Sequence, residues 1–520
     1  MRIYKIHSIG ILLALCGLTG QAAAQDRALN TPAARQLFKE QNLWAASANA
    51  AGTAFDTLRN YSNLEIKYDR LFGDFRRPQT GKTVRDLNVY AEGFVNLKNA
   101  YVWGEFKFTH ENTSDVQYNA SVTNPYRGNP YYVVDEYASK WRNQFYHLKF
   151  RAATPVVWNR VTFGIEGTYQ SSLAAKQRDP RCDTRFFNLE LVPGVTYVLG
   201  RHHCVGANLI YASIKEESSM ELDVAQNDQT YYELYGLGTA IKGFGGGRTT
   251  NYFGNQWGWA AQYSFNRARW NLLAQANWTR HVENEEISFT TPRKDGLVDN
   301  RNLTLGLHLI KHANNFTHNG QIRYGYRKIN GIQYLSQRDT GKEQAGWIVM
   351  HRDVRSTYRT TLLEAAYSLI RNRGNEYSWR ADVSATYTYL DDEYILPQSL
   401  KNSKNMYLQL HLKKNIMIGD KYTNRLLLDV TGGWKNAMSG KYVYGGPHAD
   451  YITVTAMETQ DENYLLSDAW NVGGSVVYSQ RVKRSASVNA YAKLTCNYQH
   501  TSSYDYNHRS YVSISTGLNF

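Results

Sequence analysis

From about residue 60 to the C-terminus, apolar and polar positions alternate. In "NMYLQLHLKK", Met406, Leu408, Leu410 and Leu412 alternate with Tyr407, Gln409, His411 and Lys413. In "NLTLGLHLI", Leu303, Leu305, Leu307 and Leu309 alternate with Thr304, Gly306 and His308. "YSWRADVSATYTY" sets Tyr377, Trp379, Ala381, Val383, Ala385, Tyr387 and Tyr389 against Arg380, Asp382, Ser384, Thr386 and Thr388. "SVNAYAKLTCNY" sets Val488, Ala490, Ala492, Leu494, Cys496 and Tyr498 against Asn489, Tyr491, Lys493, Thr495 and Asn497. A period of two belongs to a strand with two different faces; an amphipathic helix would repeat every 3.6 residues. The runs last roughly 9–14 residues, longer than the ~5–6 of globular strands. They match the ~9–11 residues that a tilted strand needs to cross a bilayer.

About eighteen such strands are predicted, near 63–70, 84–97, 100–111, 141–153, 158–171, 184–199, 203–214, 255–266, 269–281, 301–312, 316–330, 356–371, 376–391, 404–417, 421–435, 469–481, 485–500 and 508–520. Their connections alternate in length. Short ones fall at 98–99, 154–157, 200–202, 267–268, 313–315, 372–375, 418–420 and 482–484. Long ones include 112–140, 215–254, 282–300, 331–355 and 436–468. Short turns on one side and long loops on the other are the mark of a transmembrane barrel. The expected fold is all-β: a transmembrane antiparallel up-and-down β-barrel over residues 63–520, with short periplasmic turns and long extracellular loops. Hydrocarbon offers backbone groups no partner, so the ring must close. The last strand, "SYVSISTGLNF", is expected to close it against the first, whose apolar pattern is the poorest. Val512, Ile514, Thr516, Leu518 and Phe520 should face lipid, and Ser513, Ser515 and Asn519 the lumen.

The N-terminus departs from this pattern. "MRIYKIHSIGILLALCGLTGQAAAQDR" has basic Arg2 and Lys5, an apolar stretch Ile9–Leu18 and the small residues Ala22 and Ala24 before Gln25. This reads as a secretory signal peptide over residues 1–24, with cleavage near Ala24. Residues 25–62 then form either a periplasmic segment or a lumen plug. Thr31–Thr57 has some helical pattern around Leu37, Leu43 and Trp44.

Composition adds little against a barrel. Mean hydropathy is −0.55, as expected where the polar half of each strand cancels the apolar half. Tyr is abundant at 40 residues and Pro scarce at 10. Losing Arg2 and Lys5 takes the formal charge from +14 to +12. Those charges are scattered and the chain is exported, so nucleic acid is not an expected partner. Cys182, Cys204 and Cys496 are too few for a disulfide framework and lack metal spacing. No metal or cofactor is expected.

The ending "YVSISTGLNF" resembles the C-terminal signal of outer-membrane barrels, an alternating strand with a terminal aromatic. The resemblance implies that Tyr511, Ile514, Leu518 and Phe520 address the chain to the barrel assembly machinery. The whole mature chain, with its Tyr- and Asn-rich loops and "QNLWAASANAAGTAF", resembles the large, poorly characterised outer-membrane barrels of Bacteroidota. That segment is also similar to the N-terminal plug region of fatty-acid transporter barrels. No long plug domain of the TonB-dependent kind precedes the barrel.

Candidate chemistry lies along the inward faces. Alternation points Glu92, Glu105, Lys107, His147, Lys149, Glu166, Glu190, Arg323, Glu364, Arg380, Asp382, His411, Lys413, Arg425, Asp429, Lys435 and Lys493 into the lumen. They are either a salt-bridged wet interior or a permeation path that selects solutes by charge. Acids concentrate in early strands and bases in late ones, which would suit a transverse field. "GFGGGRTT" (Gly243–Thr250) lacks the phosphate-loop Lys and is expected to be a flexible surface loop. "RHHC" (Arg201–Cys204) has adjacent residues and no second ligand pair. Asp391, Asp392, His448 and Asp450 on the extracellular side could form a rim-site hydrolase. The aromatic stretches "NPYRGNPYYVVDEY", "YYELYGLG" and "YVYGGPHADY" would fold inward or bind a partner. The leading expectation is a loop-gated channel or transporter for a small solute. The alternative is a surface-binding or scaffold component of a nutrient-acquisition complex, with outer-membrane lipids and a surface lipoprotein as partners.

Overall fold

In a computed structural model, each barrel strand pairs antiparallel with its neighbour in sequence, and the last pairs with the first. The structure describes residues 30–223, 229–288, 292–339, 341, 346–419, 424–482, 488–503 and 507–520. The expected signal peptide lies outside the described residues. The strands are β1 (Tyr61–Gly73), β2 (Thr83–Leu97), β3 (Ala100–Val116), β4 (Tyr132–Val134), β5 (Ser139–Ala153), β6 (Val161–Lys176), β7 (Arg181–Val198), β8 (His203–Glu221), β9 (Thr230–Gly236), β10 (Thr239–Phe244) and β11 (Arg248–Arg267). They continue with β12 (Trp270–Ser288), β13 (Arg293–Ala313), β14 (Phe316–Asp339), β15 (Gly346–Arg373), β16 (Glu376–Tyr394), β17 (Ser399–Ile418), β18 (Asn424–Val443), β19 (Ala469–Arg481), β20 (Asn489–His500) and β21 (His508–Asn519). Among the described residues, β4, β9 and β10 form a separate three-stranded sheet, and the rest form one closed 18-stranded sheet. Every expected strand overlaps an observed one.

Closure involves the two ends of the barrel sequence. β1 pairs with β2 on one side and with β21 on the other, from Asn63 opposite Asn519 to Gly73 opposite Arg509. The pattern of β1 is poor because only Ile66 and Tyr68 stand well out to the exterior, while Asn63 and Asp69 are buried inward.

Outside, rows of apolar side chains are bare: Leu408, Leu410 and Leu412 on β17, Val430 and Trp434 on β18, Ile514 at 60% exposure on β21. A continuous apolar belt of this kind belongs in hydrocarbon, not water. The chain is therefore an outer-membrane barrel. None of its described helices is long and apolar enough to cross a membrane; the strands cross it. On β21, Ser513, Ser515 and Asn519 are buried on the inner side.

Three details differ from the alternation reading. Tyr377 does not join Trp379 on the lipid face. Arg371 pairs with Trp379 and Asn372 with Tyr377, so Ser378 is left out of the ladder. This bulge turns Tyr377 inward, where it is fully buried. The expected loops 282–300 and 331–355 are largely strand: β12 and β13 pair out to Ile287 opposite Arg293, and β14 and β15 out to Asp339 opposite Gly346. Beyond the lipid nothing requires a strand to keep one face apolar, so alternation fades while pairing continues. Lastly, "GFGGGRTT" is a loop only at its centre, an exposed turn between two strands. β10 ends at Phe244 and β11 begins at Arg248, with left-handed Gly245 and Gly247 making the turn between them.

The segment before β1 lies inside the short-turn end of the ring. Pro32–Gln41 forms helix α1. Thr31 caps it, its hydroxyl accepting from the Ala34 amide at 3.2 Å, and Pro32 occupies the first turn, where its missing N–H costs nothing. Ala33 and Leu37 pack on inward Ile370, Tyr377, Leu427, Val477 and Tyr491. Two short 3-10 turns follow, Trp44–Ala46 and Ala50–Phe55.

Candidate functional site: the barrel lumen

The inner wall holds the N-terminal segment by polar contacts as well as packing. Glu92 on β2 is buried and receives Arg35 Nη2 at 2.9 Å and Lys39 Nζ at 2.7 Å, both from α1. Tyr377 donates to Gln36 Oε1 at 2.6 Å. Arg380 on β16 pairs with Glu40. Arg151 on β5 donates to the carbonyls of Trp44 and Ala45 at 3.3 and 3.1 Å, spanning the wall and the segment. Asn49 is fully buried; its amide nitrogen donates towards Val195 O, Ala207 O and Gln262 Oε1 at 2.9–3.2 Å. The wall leaves room for it. A Cβ on Gly194 would lie 2.2 Å from Asn49 Oδ1, and one on Gly164 would lie 2.2 Å from the Ala51 amide.

At the extracellular end the connections fold inward. The connection between β3 and β5 carries Arg127, whose guanidinium stands 3.1 Å from Glu216 and 2.8 Å from Glu283, both buried on the inner wall. Asn129 adds a bond to Glu283 at 2.6 Å. The β9–β10 hairpin tip, Gly236–Gly238, crosses to the opposite wall, where Ser356 donates to Tyr235 O at 2.9 Å and Tyr442 to Leu237 O at 3.0 Å. Between β18 and β19, a π-helical turn (Thr453–Glu458) runs into helix α2 (Thr459–Leu465). Asp461 of α2 receives both Nε and Nη2 of Arg77 at 2.6 and 2.7 Å, and Lys401 of β17 as well. Burial alone would raise the Asp461 carboxyl, but Lys401 and Arg77 outweigh it and hold it well below the usual carboxylate range. Lys435 of β18 caps α2, its ammonium donating to the carbonyls of Tyr464, Leu465 and Ser467 at 2.9–3.0 Å.

Between these two seats lies a charged belt. Lys149 and Arg151 pair with Glu166. Glu105 faces His147 at 3.5 Å and accepts from Tyr90 at 2.9 Å. Glu190 accepts from Gln256 at 3.3 Å. Arg323 pairs with Glu364 at 2.7 Å, Arg380 with Asp382 at 2.5 Å and Arg425 with Glu376 at 2.9 Å. Asp429 lies 3.7 Å from His411 and 3.9 Å from Lys413. Lys107 is exposed and Lys493 partly so. The expected transverse field is thus largely cancelled in local pairs, since the acids of early strands meet bases of neighbouring strands or of α1.

Above the belt, β16–β20 enclose a cavity of about 460 Å3 under Tyr464 and Leu465. Tyr511, on the inner side of β21, donates to Asp69 at 2.6 Å.

Other candidates are not brought together. His202 contacts Asn266 O and His203 the Tyr263 hydroxyl, while Cys204 packs against Trp44. Asp391 pairs with Arg359 at 3.0 Å. His448 stacks on Tyr451 at 4.4 Å, and Asp392 is turned towards Lys401 and Glu458. Glu216 and Glu283 were legible but missed: each lies two residues past an expected strand end and so continues its inward phase. Arg35, Glu40, Asn49, Arg127 and Asp461 lie outside the strands and carry no periodic signal.

Residues 50–520 match the model of a family described as "Family of unknown function (DUF6850)". The chain belongs to that family. No curated protein matches it significantly. Among solved structures it is similar to the ferric yersiniabactin uptake receptor FyuA from Yersinia pestis, at TM-score 0.43 and 8% identity, covering 89% of this chain and 80% of that one. The ferric preacinetobactin receptor BauA from Acinetobacter baumannii aligns at TM-score 0.39 and 9% identity, with 89% and 80% covered. OpdK of Pseudomonas aeruginosa, solved with vanillate, aligns at TM-score 0.36 and 11% identity, with 89% and 99% covered. Likenesses this distant carry no weight here; fold and site follow from this chain's own strands and side chains.

Proposed function

We propose that this outer-membrane barrel is a channel or transporter for a small solute, its lumen stoppered at the periplasmic end by residues 31–57 and roofed at the extracellular end by its loops. The observation that carries the reading is how both closures are seated. Each is held on the inner wall by charge pairs and amide bonds (Arg35–Glu92, Arg380–Glu40, Arg127–Glu283, Lys401–Asp461). Water can replace such contacts when a segment swings away, and the apolar contacts beside them are small separate clusters, not one continuous core. The charged belt would then act on whatever passes, with exposed Lys107 and half-buried Lys493 among the cations that line the path. Tyr511, Ile514, Leu518 and Phe520 would serve as the C-terminal assembly signal.

The test is ion current in a planar bilayer. The intact protein should conduct little. Deletion of residues 31–57, combined with Arg127→Met to loosen the roof, should raise conductance several-fold. If that variant, shown to be folded by its heat-dependent gel mobility, passes no more current than the intact protein, the transport reading fails.

A second reading is supported by the outer ends of β14 and β15. These strands have 24 and 28 residues, roughly 80–90 Å of chain at ~3.3 Å per residue, far more than the membrane needs. Their tip exposes Leu335, Ile348 and Met350. A surface lipoprotein docking there would make the barrel part of a nutrient-acquisition complex. Cross-linking from Ile348→Cys in intact cells tests this; absence of any adduct counts against it.

A further inference from the structure

The cavity beneath α2 differs in chemistry from the rest of the lumen. Asn405, Tyr407, Gln409, Asn471, Asn497 and Gln499 project into it from β17, β19 and β20, together with hydroxyls of β16. Among the described residues that line it there is no carboxylate and one cation, Lys435, which points upward and is occupied by three carbonyls of the roof. The charged pairs of the belt stop below it. What the walls present is a dense set of neutral donors and acceptors.

These amides are held in place. Tyr407 donates to Asn471 Oδ1 at 2.8 Å across two strands. Gly433 lies between them; a Cβ there would stand 2.2 Å from Asn471 Oδ1 and 2.7 Å from the Tyr407 hydroxyl. Asn405 Oδ1 is buried and accepts no hydrogen bond from the described residues, an acceptor left for a ligand to satisfy. The volume of about 460 Å3 is within the ~300–1,000 Å3 range of small-molecule sites.

We infer that this chamber binds a neutral, polyhydroxylated solute of about disaccharide size. The inference rests on reading the lumen as a solute path and names the class of solute. Carboxamides donate and accept side by side, as neighbouring hydroxyls do, so the two sets pair without a net charge. The ring of Tyr407, on the chamber wall, offers a face to the C–H side of a sugar ring. An ammonium would lose its hydration and find no counter-charge, and a carboxylate would meet only Lys435, whose N–H groups are already taken by three roof carbonyls, so ions are disfavoured. A fatty acid would leave the amides unpaired, which separates this lumen from the fatty-acid transporters that its N-terminal segment resembles.

Calorimetric titration of the full detergent-solubilised chain with maltose, cellobiose and lactose, and with anionic lactobionate, tests the inference. At least one neutral disaccharide should bind, and lactobionate at least about tenfold more weakly. Gly433→Val, which fills the chamber, and Gln499→Leu, on its other side, should each weaken binding by about tenfold or more, with folding checked by heat-dependent mobility. Equal binding of lactobionate, no binding of any neutral disaccharide, or unchanged affinity in both folded variants would overturn it. Bilayer current keeps the two readings apart. A protein that conducts but binds no neutral disaccharide refutes the solute class alone. One that binds but never conducts refutes the channel alone.

Discussion

Arg127 Nη1 stands 2.8 Å from Glu283 Oε2, and this contact ties the first large extracellular connection to the inner wall of β12. The same guanidinium reaches Glu216 of β8 at 3.1 Å. One cation thus separates two buried carboxylates. Arg127→Met would leave both carboxylates unpaired, and breaking a buried pair in this way costs about 3–5 kcal/mol. The expected outcome is a clearly lower unfolding temperature in detergent and chymotryptic cleavage within residues 117–138, which carry five tyrosines. Adding Glu283→Gln should recover part of the loss. If the single variant melts with the wild type, the pair does not hold the roof.

Gly194 offers a way to expel the N-terminal segment without altering it. Gly194→Val puts side-chain carbons where Asn49 Oδ1 now sits. Asn49 would lose its bonds to the wall, and Ser47, buried beside it, should become reachable by a thiol reagent. The assay is maleimide labelling of Ser47→Cys in a Cys496→Ser background, because among the described cysteines Cys182 and Cys204 are buried and Cys496 is exposed. Labelling should be several-fold faster with Gly194→Val; equal rates would mean that the segment is not seated through this contact.

The ring was legible in the sequence because lipid imposes a strict rule. Leu408, Leu410 and Leu412 must all face one way, and the alternation of short and long connections fixed strand order. Where lipid ends, so does the rule. β14 continues to Asp339 and β15 starts at Gly346 with no regular apolar–polar alternation to announce them. Tyr377 shows the opposite failure: its spacing from Trp379 reads as lipid-facing, and a single unpaired residue, Ser378, reverses it. Among site residues, alternation located Glu92 and Arg380 but not their partners. Arg35 and Glu40 come from a helix 57 and 340 positions away in sequence, a pairing created by tertiary packing alone.

Asp461 gives the roof a defined pH response. Its carboxyl is held below the usual range because Lys401 and Arg77 outweigh the effect of burial. A carboxyl lowered on folding contributes stability above its unfolded value of about 3.9 and loses it as pH falls through the folded value. The contribution of the Asp461 carboxyl to the attachment of α2 should therefore be constant between about pH 5 and 8 and be lost only in strong acid. Asp461→Asn leaves Lys401 with Glu458 alone and Arg77 without its carboxylate. At pH 7 it should lower hydrogen-exchange protection of residues 453–465 by about 3 kcal/mol, and the difference from wild type should shrink in strong acid. A difference that already shrinks between pH 8 and 5 would contradict this.

The last residue allows folding to be separated from delivery. The Phe520 amide donates to Ser62 O at 2.9 Å, and the Ser62 amide to Phe520 O at 3.4 Å. Both bonds are made by backbone, so Phe520→Ala keeps them. Refolded in detergent, that variant should melt close to wild type, since losing one ring at the edge of the lipid belt removes only a little burial, about 1 kcal/mol. Deleting residues 512–520 is another matter. It strips β1 of its partners from Asn63 to Arg70 and leaves a row of backbone groups open to hydrocarbon, each costing several kcal/mol. No heat-modifiable barrel should form. If the terminal ring is also what the assembly machinery reads, Phe520→Ala should fall several-fold in the outer membrane of cells while refolding normally in vitro. Quantitative blotting of membrane fractions decides it: equal levels of variant and wild type would leave Phe520 with the closure of the ring and no role in delivery.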